Sequence, residues 1–484
     1  MDTQPRHLSI WEYVQLIGPR YVAILLFVCV GLRIILFGIS RPWTPGIETQ
    51  RVLQDDAAGY HRLATTLIES HRFAFSNTEK PDAMRTPLYP MFIAAIYSLF
   101  GYKPWIVILT QILIDTISCF LLLVSLSRLF SRRVALIAST LYALDPFLIL
   151  YSSTTLLSDT LFVFFLVAAF WFLSLARHGE ISKKTLLNCG LSSLFLGLAT
   201  LTRPISQFII ACFVVFFSVA YWKRPRIAIT YALLSLLIFG LTLFPWVFRN
   251  YSTFGHFSLS TSDSYNLLIL DVAPMEMGRR HEDSAAVRKS LLAEADKMME
   301  ADGLHSQDIN EFQRAHYWRK LAVRYISNAP IAFGRSYLLG VFHTFCNLGT
   351  RDYAETLRLP AVDFDIKAYT NILDLAKAAL EKKGAVGLLI GGAIAPYLLI
   401  TYLGAIIGLL TSWRRHYDRP SLLLTVLLAV YFVLITGVAG LARFKLPSIP
   451  FYLAFTGIGF SYLYEDIIRA KRTKKHSPSA IAMK

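Results

Sequence analysis

Two adjacent carboxylates, Asp55 and Asp56, lie in a polar interval, residues 40–86, of an otherwise strongly apolar chain. A third, Asp159, follows Ser158 at the head of a later apolar run. Single cations recur at comparable places: Arg85, Arg203, Arg249, Arg443 and Lys445. Taken singly, each has a plain reading. The acidic pair is either a solvated loop or a general base, and an arginine near a helix end either anchors to lipid headgroups or binds a substrate. Their combination is more telling. A carboxylate removes a proton from an incoming hydroxyl, while guanidinium and ammonium groups hold phosphate through charge-assisted bonds, strongest away from bulk water. Together they suit group transfer from an anionic lipid headgroup, with a base for the nucleophile and cations for the leaving phosphate.

The elements that must position these groups are membrane helices. Of 484 residues 55% are hydrophobic and only 17% charged, whereas a soluble chain of this length carries more charge. Apolar runs long enough to cross a hydrocarbon core recur throughout. They fall at 21–39, 105–126, 134–151, 161–176, 186–201, 205–222, 228–247, 386–413, 422–441 and 447–464. The expected fold is an all-α polytopic membrane protein of about ten transmembrane helices with external juxtamembrane helices. The runs 60–68 and 88–100 are too short or too polar to cross and are expected to lie at the interface. So is 331–345, which Arg335 and His343 interrupt.

Basic clusters at 128–133, 177–184, 223–226, 414–419 and 471–475 set the orientation. Ten crossings leave all five on the cytoplasmic side together with both termini. Asp55, Asp56, Arg85, Asp159, Arg203, Arg249, Arg443 and Lys445 then share the outer side. Three regions follow: a transmembrane catalytic module over 1–250 whose first outer loop is 40–104, an external helical loop over 251–328, and a transmembrane region over 329–484 with a basic cytoplasmic tail. Within the loop, 284–301 is helix-favouring, and Asp308-x-x-Glu311 reads as a capping box for a second helix. The formal net charge of +16 resides in these clusters, so nucleic acid is not an expected partner. Five cysteines without metal or disulfide spacing read as core filling. Arg33, toward the far end of the first span, is expected to snorkel to the interface. Asp115 reads as an internally bonded structural acid, and Asp145-Pro146 as a helix end.

Several motifs sit in order at the outer ends of spans: Asp56-x-x-x-Tyr60-x-x-x-Ala64, Arg85-x-Pro87-Leu88-Tyr89-Pro90, Ser158-Asp159, Leu201-Thr202-Arg203-Pro204, Pro245-Trp246-x-x-Arg249-Asn250 and Ala442-Arg443-Phe444-Lys445-Leu446-Pro447. In these the chain resembles the membrane glycosyltransferases of the C-type fold, in the group of protein O-mannosyltransferases and bacterial aminoarabinose transferases. The resemblance implies an inverting hexosyl or pentosyl transferase. It would move a sugar from a polyprenyl-phosphate donor to a lipid, glycan or protein hydroxyl, at the periplasmic face of a bacterial inner membrane. By the same resemblance Asp56 is the catalytic base, Asp159 a second catalytic carboxylate that serves acceptor orientation, electrostatics or a metal, and Arg85 the group that approaches the donor phosphate. The expected substrate-binding set is Asp55, Tyr60, Arg85, Tyr89, Arg203, Arg249, Arg443 and Lys445. No cofactor is implied with certainty, and a divalent metal remains open. The competing expectation is a flippase or transporter of lipid-linked saccharides, which calls for inverted repeats and midplane charges; here the polar residues gather at one interface.

Overall fold

The computed structural model describes residues 10–76, 80–176, 181–305, 309–359, 372–414 and 417–475. Every regular element among them is helical. Seven helices are long and apolar enough to cross a membrane: Pro19–Ser40, Pro104–Leu129, Asp159–Ala176, Lys183–Thr202, Pro225–Phe254, Gly387–Ser412 and Ala442–Ile467. Arg132–Leu144 and Pro146–Thr154, bent by 48° at Asp145, make an eighth if taken as one span. The bend has a local cause. Proline cannot continue the preceding helix, and the Asp145 carboxylate caps the next one, accepting from the Phe147 and Leu148 N–H groups at 2.9 Å each.

The expected count of ten is not reproduced. Two of the expected crossings, 205–222 and 422–441, are carried by shorter apolar helices, Pro204–Ala220 and Arg419–Leu434. The first is shortened by a 3-10 turn at Pro204–Ser206, and the second stops before the glycine-containing stretch 435–441. Both lose helix where the chain turns into loop beside the cavity described below.

In lipid, helices gain little from burying apolar surface against one another, so close packing of small residues matters more. The helices Gly387–Ser412 and Ala442–Ile467 pack along their lengths in this way. Gly404 and Gly408 form a small-xxx-small face, and a Cβ at Gly404 would stand 2.8 Å from the Thr456 methyl. At Gly408 it would run into the Phe455 carbonyl.

Arg33 is a correction to the sequence reading. It does not snorkel: its side chain is 0% exposed, and its Nε donates to Asp115 Oδ2 at 2.5 Å. Nη1 donates to the carbonyls of Cys29 at 2.9 Å and Ala143 at 3.1 Å, while Tyr142 donates to Asp115 Oδ1 at 2.7 Å. A charge in the interior requires an opposite charge and further hydrogen bonds, and Asp115 on the next span supplies both. Asp115 is thus internally bonded; Cys29, Cys119 and Cys189 are buried as core filling requires, whereas Cys212 is half-buried and Cys346 is exposed.

The region 251–328 is helical with a small core of its own. The helix Ser284–Ala301 has the bounds expected from sequence, with Asp283 capping it through the Ala285 and Ala286 N–H groups at 2.8 and 2.9 Å. Val287, Leu291, Ala295 and Met299, four apart, form its buried stripe. Asp308 lies outside the described residues. The following helix, Glu311–Asn328, is capped by Asn310 and Gln313 rather than by a box ending at Glu311. The helix Pro330–Cys346, like Leu88–Phe100, is not among the helices long enough to cross.

Candidate active site

Helix ends and loops at one end of the bundle, together with helices of 251–328, enclose a cavity of about 1310 Å³. Asp56 and Asp159 enter it from the first turns of the helices Asp56–Ser70 and Asp159–Ala176, where the positive end of the helix favours a carboxylate. Arg203 follows the helix Lys183–Thr202 in an extended conformation (φ −146°, ψ 118°), the geometry that the following proline imposes. Arg443 sits in the 3-10 stretch Ala442–Ser448, and Arg85 in the loop before the helix Leu88–Phe100.

These side chains meet although they are far apart in sequence. Arg443 Nη2 donates to Asp56 Oδ2 at 2.6 Å, and Arg85 Nη2 stands 3.7 Å from Asp56 Oδ1. Arg203 Nη1 pairs with Asp159 Oδ1. The Tyr60 and Ser158 hydroxyls, 3.2 Å apart, join the two carboxylate-bearing helices. Thr86 Oγ1 donates to the Thr202 carbonyl at 3.1 Å and ties the Arg85 loop to the Arg203 turn. The Arg85 guanidinium lies over the Tyr60 ring at 5.4 Å and the Phe75 ring at 5.3 Å.

Gly59 makes this arrangement possible. A Cβ there would come within 2.6 Å of Arg85 Nη2 and 2.7 Å of its Cζ. The bare backbone of the Asp56 helix is therefore what lets the guanidinium reach the carboxylate.

Asp56 is 42% exposed, opening onto the cavity, whereas Asp159 is 3% exposed beneath Arg203. Burial pushes the Asp56 carboxyl up, but Arg443, Arg85 and Arg203 outweigh it and hold the group below its ordinary value. It is ionised at neutral pH and gripped by cations.

The remaining expected site residues divide. Asp55 and Tyr60 line the cavity. Asp55 takes a φ of 47°, outside the helix that Asp56 begins. Tyr89 is fully buried behind Tyr60, with ring centroids 4.8 Å apart, and donates to Gln111 at 2.5 Å. Arg249 and Lys445 are not among the cavity-lining residues. Arg249 donates to the Asp82 carbonyl at 2.9 Å and to Asn250 at 2.8 Å, and it lies over Trp246, Phe254 and Phe73. Lys445, 0% exposed, donates to the Asn347 carbonyl at 2.8 Å and sits 3.5 Å from the Phe147 ring centroid. Both act here as internal fastenings.

Several lining residues carry no signal in the sequence reading. Tyr151 donates to Asp352 at 2.5 Å, and Asp271, Arg288 and Arg319 come from helices of 251–328. The lining also includes the apolar side chains Ile205, Phe208, Ile435, Leu441 and Phe444.

Among the described residues no three His, Cys, Asp or Glu side chains stand close enough to hold a metal ion. Asp56 and Asp159 each already carry guanidinium partners. This donor set suits neutralisation by arginine, not a divalent metal, and no step below uses one.

Residues 81–248 match the family described as dolichyl-phosphate-mannose-protein mannosyltransferase. No curated protein matches the chain in sequence. Among solved structures, the archaeal oligosaccharyltransferase AglB from Archaeoglobus fulgidus, in complex with an inhibitory peptide and a dolichol-phosphate, superposes with a TM-score of 0.54 at 14% identity. That match covers 97% of this chain and 53% of AglB. The Archaeoglobus fulgidus oligosaccharyltransferase in complex with zinc and sulfate gives 0.51 at 14% identity, over 92% of this chain and 49% of that one. ArnT from Cupriavidus metallidurans bound to undecaprenyl phosphate is also similar, at 13% identity and a TM-score of 0.41, over 91% and 78%. The chain thus has the fold of the C-type membrane glycosyltransferases, and it spans about half the length of the oligosaccharyltransferase it matches.

Proposed function

We propose that the chain is an inverting glycosyltransferase that moves a hexosyl or pentosyl unit from a polyprenyl-phosphate donor to a hydroxyl acceptor at the outer membrane face. The observation that carries this reading is the Asp56 carboxylate held between Arg443 and Arg85, with Arg203 on Asp159 alongside. The family matched over residues 81–248 and the dolichol-phosphate in the AglB complex support a lipid-phosphate donor. So do the apolar lining residues Ile205, Phe208 and Leu441, which suit a polyprenyl chain. A bacterial inner membrane with a periplasmic site fits the placement of the basic residues. A lipid, glycan or protein hydroxyl serves as acceptor.

Donor binding and base strength are coupled in this reading. Before the donor arrives, the arginines keep Asp56 a weak base. A donor phosphate draws the same guanidiniums toward itself, and Asp56 then regains the basicity that proton transfer needs. The acceptor hydroxyl oxygen attacks the anomeric carbon as its proton passes to Asp56. The bond from that carbon to the phosphate oxygen breaks, and the electron pair leaves on polyprenyl phosphate, held by Arg85, Arg203 and Arg443. One displacement inverts the anomeric configuration.

Alanine at Arg85, Arg203 or Arg443 is expected to remove a charge-assisted bond worth about 1.5–3 kcal/mol, raising the donor KM about 10- to 150-fold. Alanine at Arg249 or Lys445 is expected to lower thermal stability instead, with donor KM little changed. Steady-state kinetics with a polyprenyl-phosphate sugar decides the matter: unaltered donor KM in all three cavity variants would return these arginines to headgroup anchoring.

Gly59→Ala offers a test that leaves every charge in place. Alanine favours helix over glycine, so stability should hold or rise. The new methyl displaces the Arg85 guanidinium, and donor KM is expected to rise about tenfold, equivalent to about 1.4 kcal/mol. A native KM with a raised melting temperature would show that Arg85 does not need its place over Gly59.

A further inference from the structure

The two loops that deliver arginines to Asp56 are each held by a carboxylate of the helices of 251–328. Glu311, the first residue of the helix Glu311–Asn328, accepts the Ala83 N–H at 2.6 Å through Oε2. The Ala83 carbonyl accepts the Thr261 N–H at 2.9 Å, so both peptide groups of a residue two before Arg85 are bound by residues of 251–328. Asp82 fixes the inner side of the same loop. Its Oδ2 accepts the Arg85 N–H at 2.9 Å, and its carbonyl accepts Arg249 Nη1 at 2.9 Å. Its Oδ1 is buried without a partner among the described residues. On the other loop, Asp271 Oδ1 accepts the Val438 N–H at 2.8 Å, five residues before Arg443. The Gly340 backbone packs against Val438 from behind.

We propose that the external segment 251–328 is a clamp that sets the donor-phosphate cations, with Glu311 positioning Arg85 through Ala83 and Asp271 positioning Arg443 through Val438. This rests on the donor-binding role given to Arg85 and Arg443 above. Neither carboxylate is a catalytic residue; each acts on the arginine through the backbone.

The choice of carboxylates makes the clamp sensitive to pH. Burial, with the Asp82 carboxylate adding to it, pushes Glu311 up to about 7 against the Ala83 bond and the cations Arg314 and Arg249. Burial likewise raises Asp271 to about 6, opposed by the Val438 bond, and Tyr337 also faces it. A clamp that opened to water would return both groups to ordinary carboxylate values. The raised values of the closed arrangement therefore favour closure at low pH, and that advantage is lost as pH rises through about 6 and then about 7.

The test measures donor KM and kcat on the purified full-length protein from about pH 5 to about pH 8. Glu311→Gln and Asp271→Asn keep an acceptor oxygen but cannot ionise; Glu311→Ala and Asp271→Ala remove the acceptor. In the native protein, donor KM should rise severalfold between about pH 5 and about pH 7 and level off above, and in the Glu311→Gln, Asp271→Asn double variant it should stay flat. The alanine variants should show donor KM raised about five- to tenfold across the range, and Glu311→Ala, whose residue does not line the cavity, should keep the native kcat at saturating donor. A native pH profile persisting in the double variant would overturn the clamp, as would native KM values in both alanine variants. If the alanine variants fail to fold, the pH profile of the double variant still decides. Arg85→Ala run in parallel separates the two ideas. If it weakens donor use and Glu311→Ala does not, the clamp alone fails; if it does not weaken donor use, the donor assignment itself fails.

Discussion

Asp56→Asn is expected to slow sugar transfer about 10²–10⁴-fold, the usual cost of losing a general base. Asparagine keeps the size of the side chain and an oxygen that can accept from Arg443, but it cannot take the acceptor proton. Donor affinity should change little, because the cations that hold the phosphate remain. Asp55→Asn should be much milder. Asp55 lines the cavity but precedes the helix, with a φ of 47°. The arginines converge on Asp56 instead. Single-turnover kinetics at saturating donor measures both variants. An opposite ranking would move the base by one position, and native rates in both variants and in the double variant would remove the mechanism.

The second large effect concerns the bundle, not the chemistry. Arg33→Leu leaves Asp115 as an uncompensated charge in the membrane interior and should destabilise the fold by about 3–5 kcal/mol. Replacing both partners by leucine should recover most of that loss, since two apolar side chains of similar size avoid the cost of burying charge. Thermal unfolding in detergent micelles reads the difference. Neither change should alter the transfer rate per folded molecule, because Arg33 and Asp115 are not among the cavity-lining residues. A single variant as stable as the native protein would mean that the pair does not hold the first two spans together.

The sequence shows the site's members more clearly than their partners. Asp56, Asp159, Arg85, Arg203 and Arg443 stand out because isolated charges at the ends of apolar runs need a reason, and all five line one cavity. Their pairing is not legible. Asp56 and Arg443 are 387 residues apart, and no local pattern distinguishes Arg443 from Lys445. The distinction arises in the 3-10 turn, which sends one side chain to the cavity and the other onto Phe147 and the Asn347 carbonyl. Arg249 is lost to the site for a similar reason: Trp246 and Phe254, close to it in sequence, stack on it.

Arg33 was misread because hydropathy shows where a charge sits along a span but not which helix faces it. Asp115, on that facing helix, carried the missing information. The long apolar helices are legible in the sequence, Leu88–Phe100 down to its bounds, whereas the short helices Ile10–Ile17, Ala273–Arg280 and Thr350–Thr356 are not. Crossing number was not legible, because Pro204 and the glycines near 437–440 shorten two helices beside the cavity, while their apolar runs continue into loop. The contacts of 251–328 with the arginine loops leave no trace in the sequence. Glu311 resembled one half of a capping box, and Asp271 one acid among many, until folding set each against a backbone N–H of a distant loop.

The central claim is that Asp56 and its arginines break the bond between a sugar and a lipid phosphate. The most direct measurement follows that bond: purified protein in liposomes, a radiolabelled polyprenyl-phosphate sugar, a hydroxyl acceptor, and separation of free polyprenyl phosphate from the transferred sugar. The account predicts equal release of polyprenyl phosphate and glycosylated acceptor, inverted at the anomeric carbon, and near-complete loss of both in Asp56→Asn. Passage of the intact lipid-linked sugar across the bilayer with no bond cleaved, unchanged in Asp56→Asn, would contradict it.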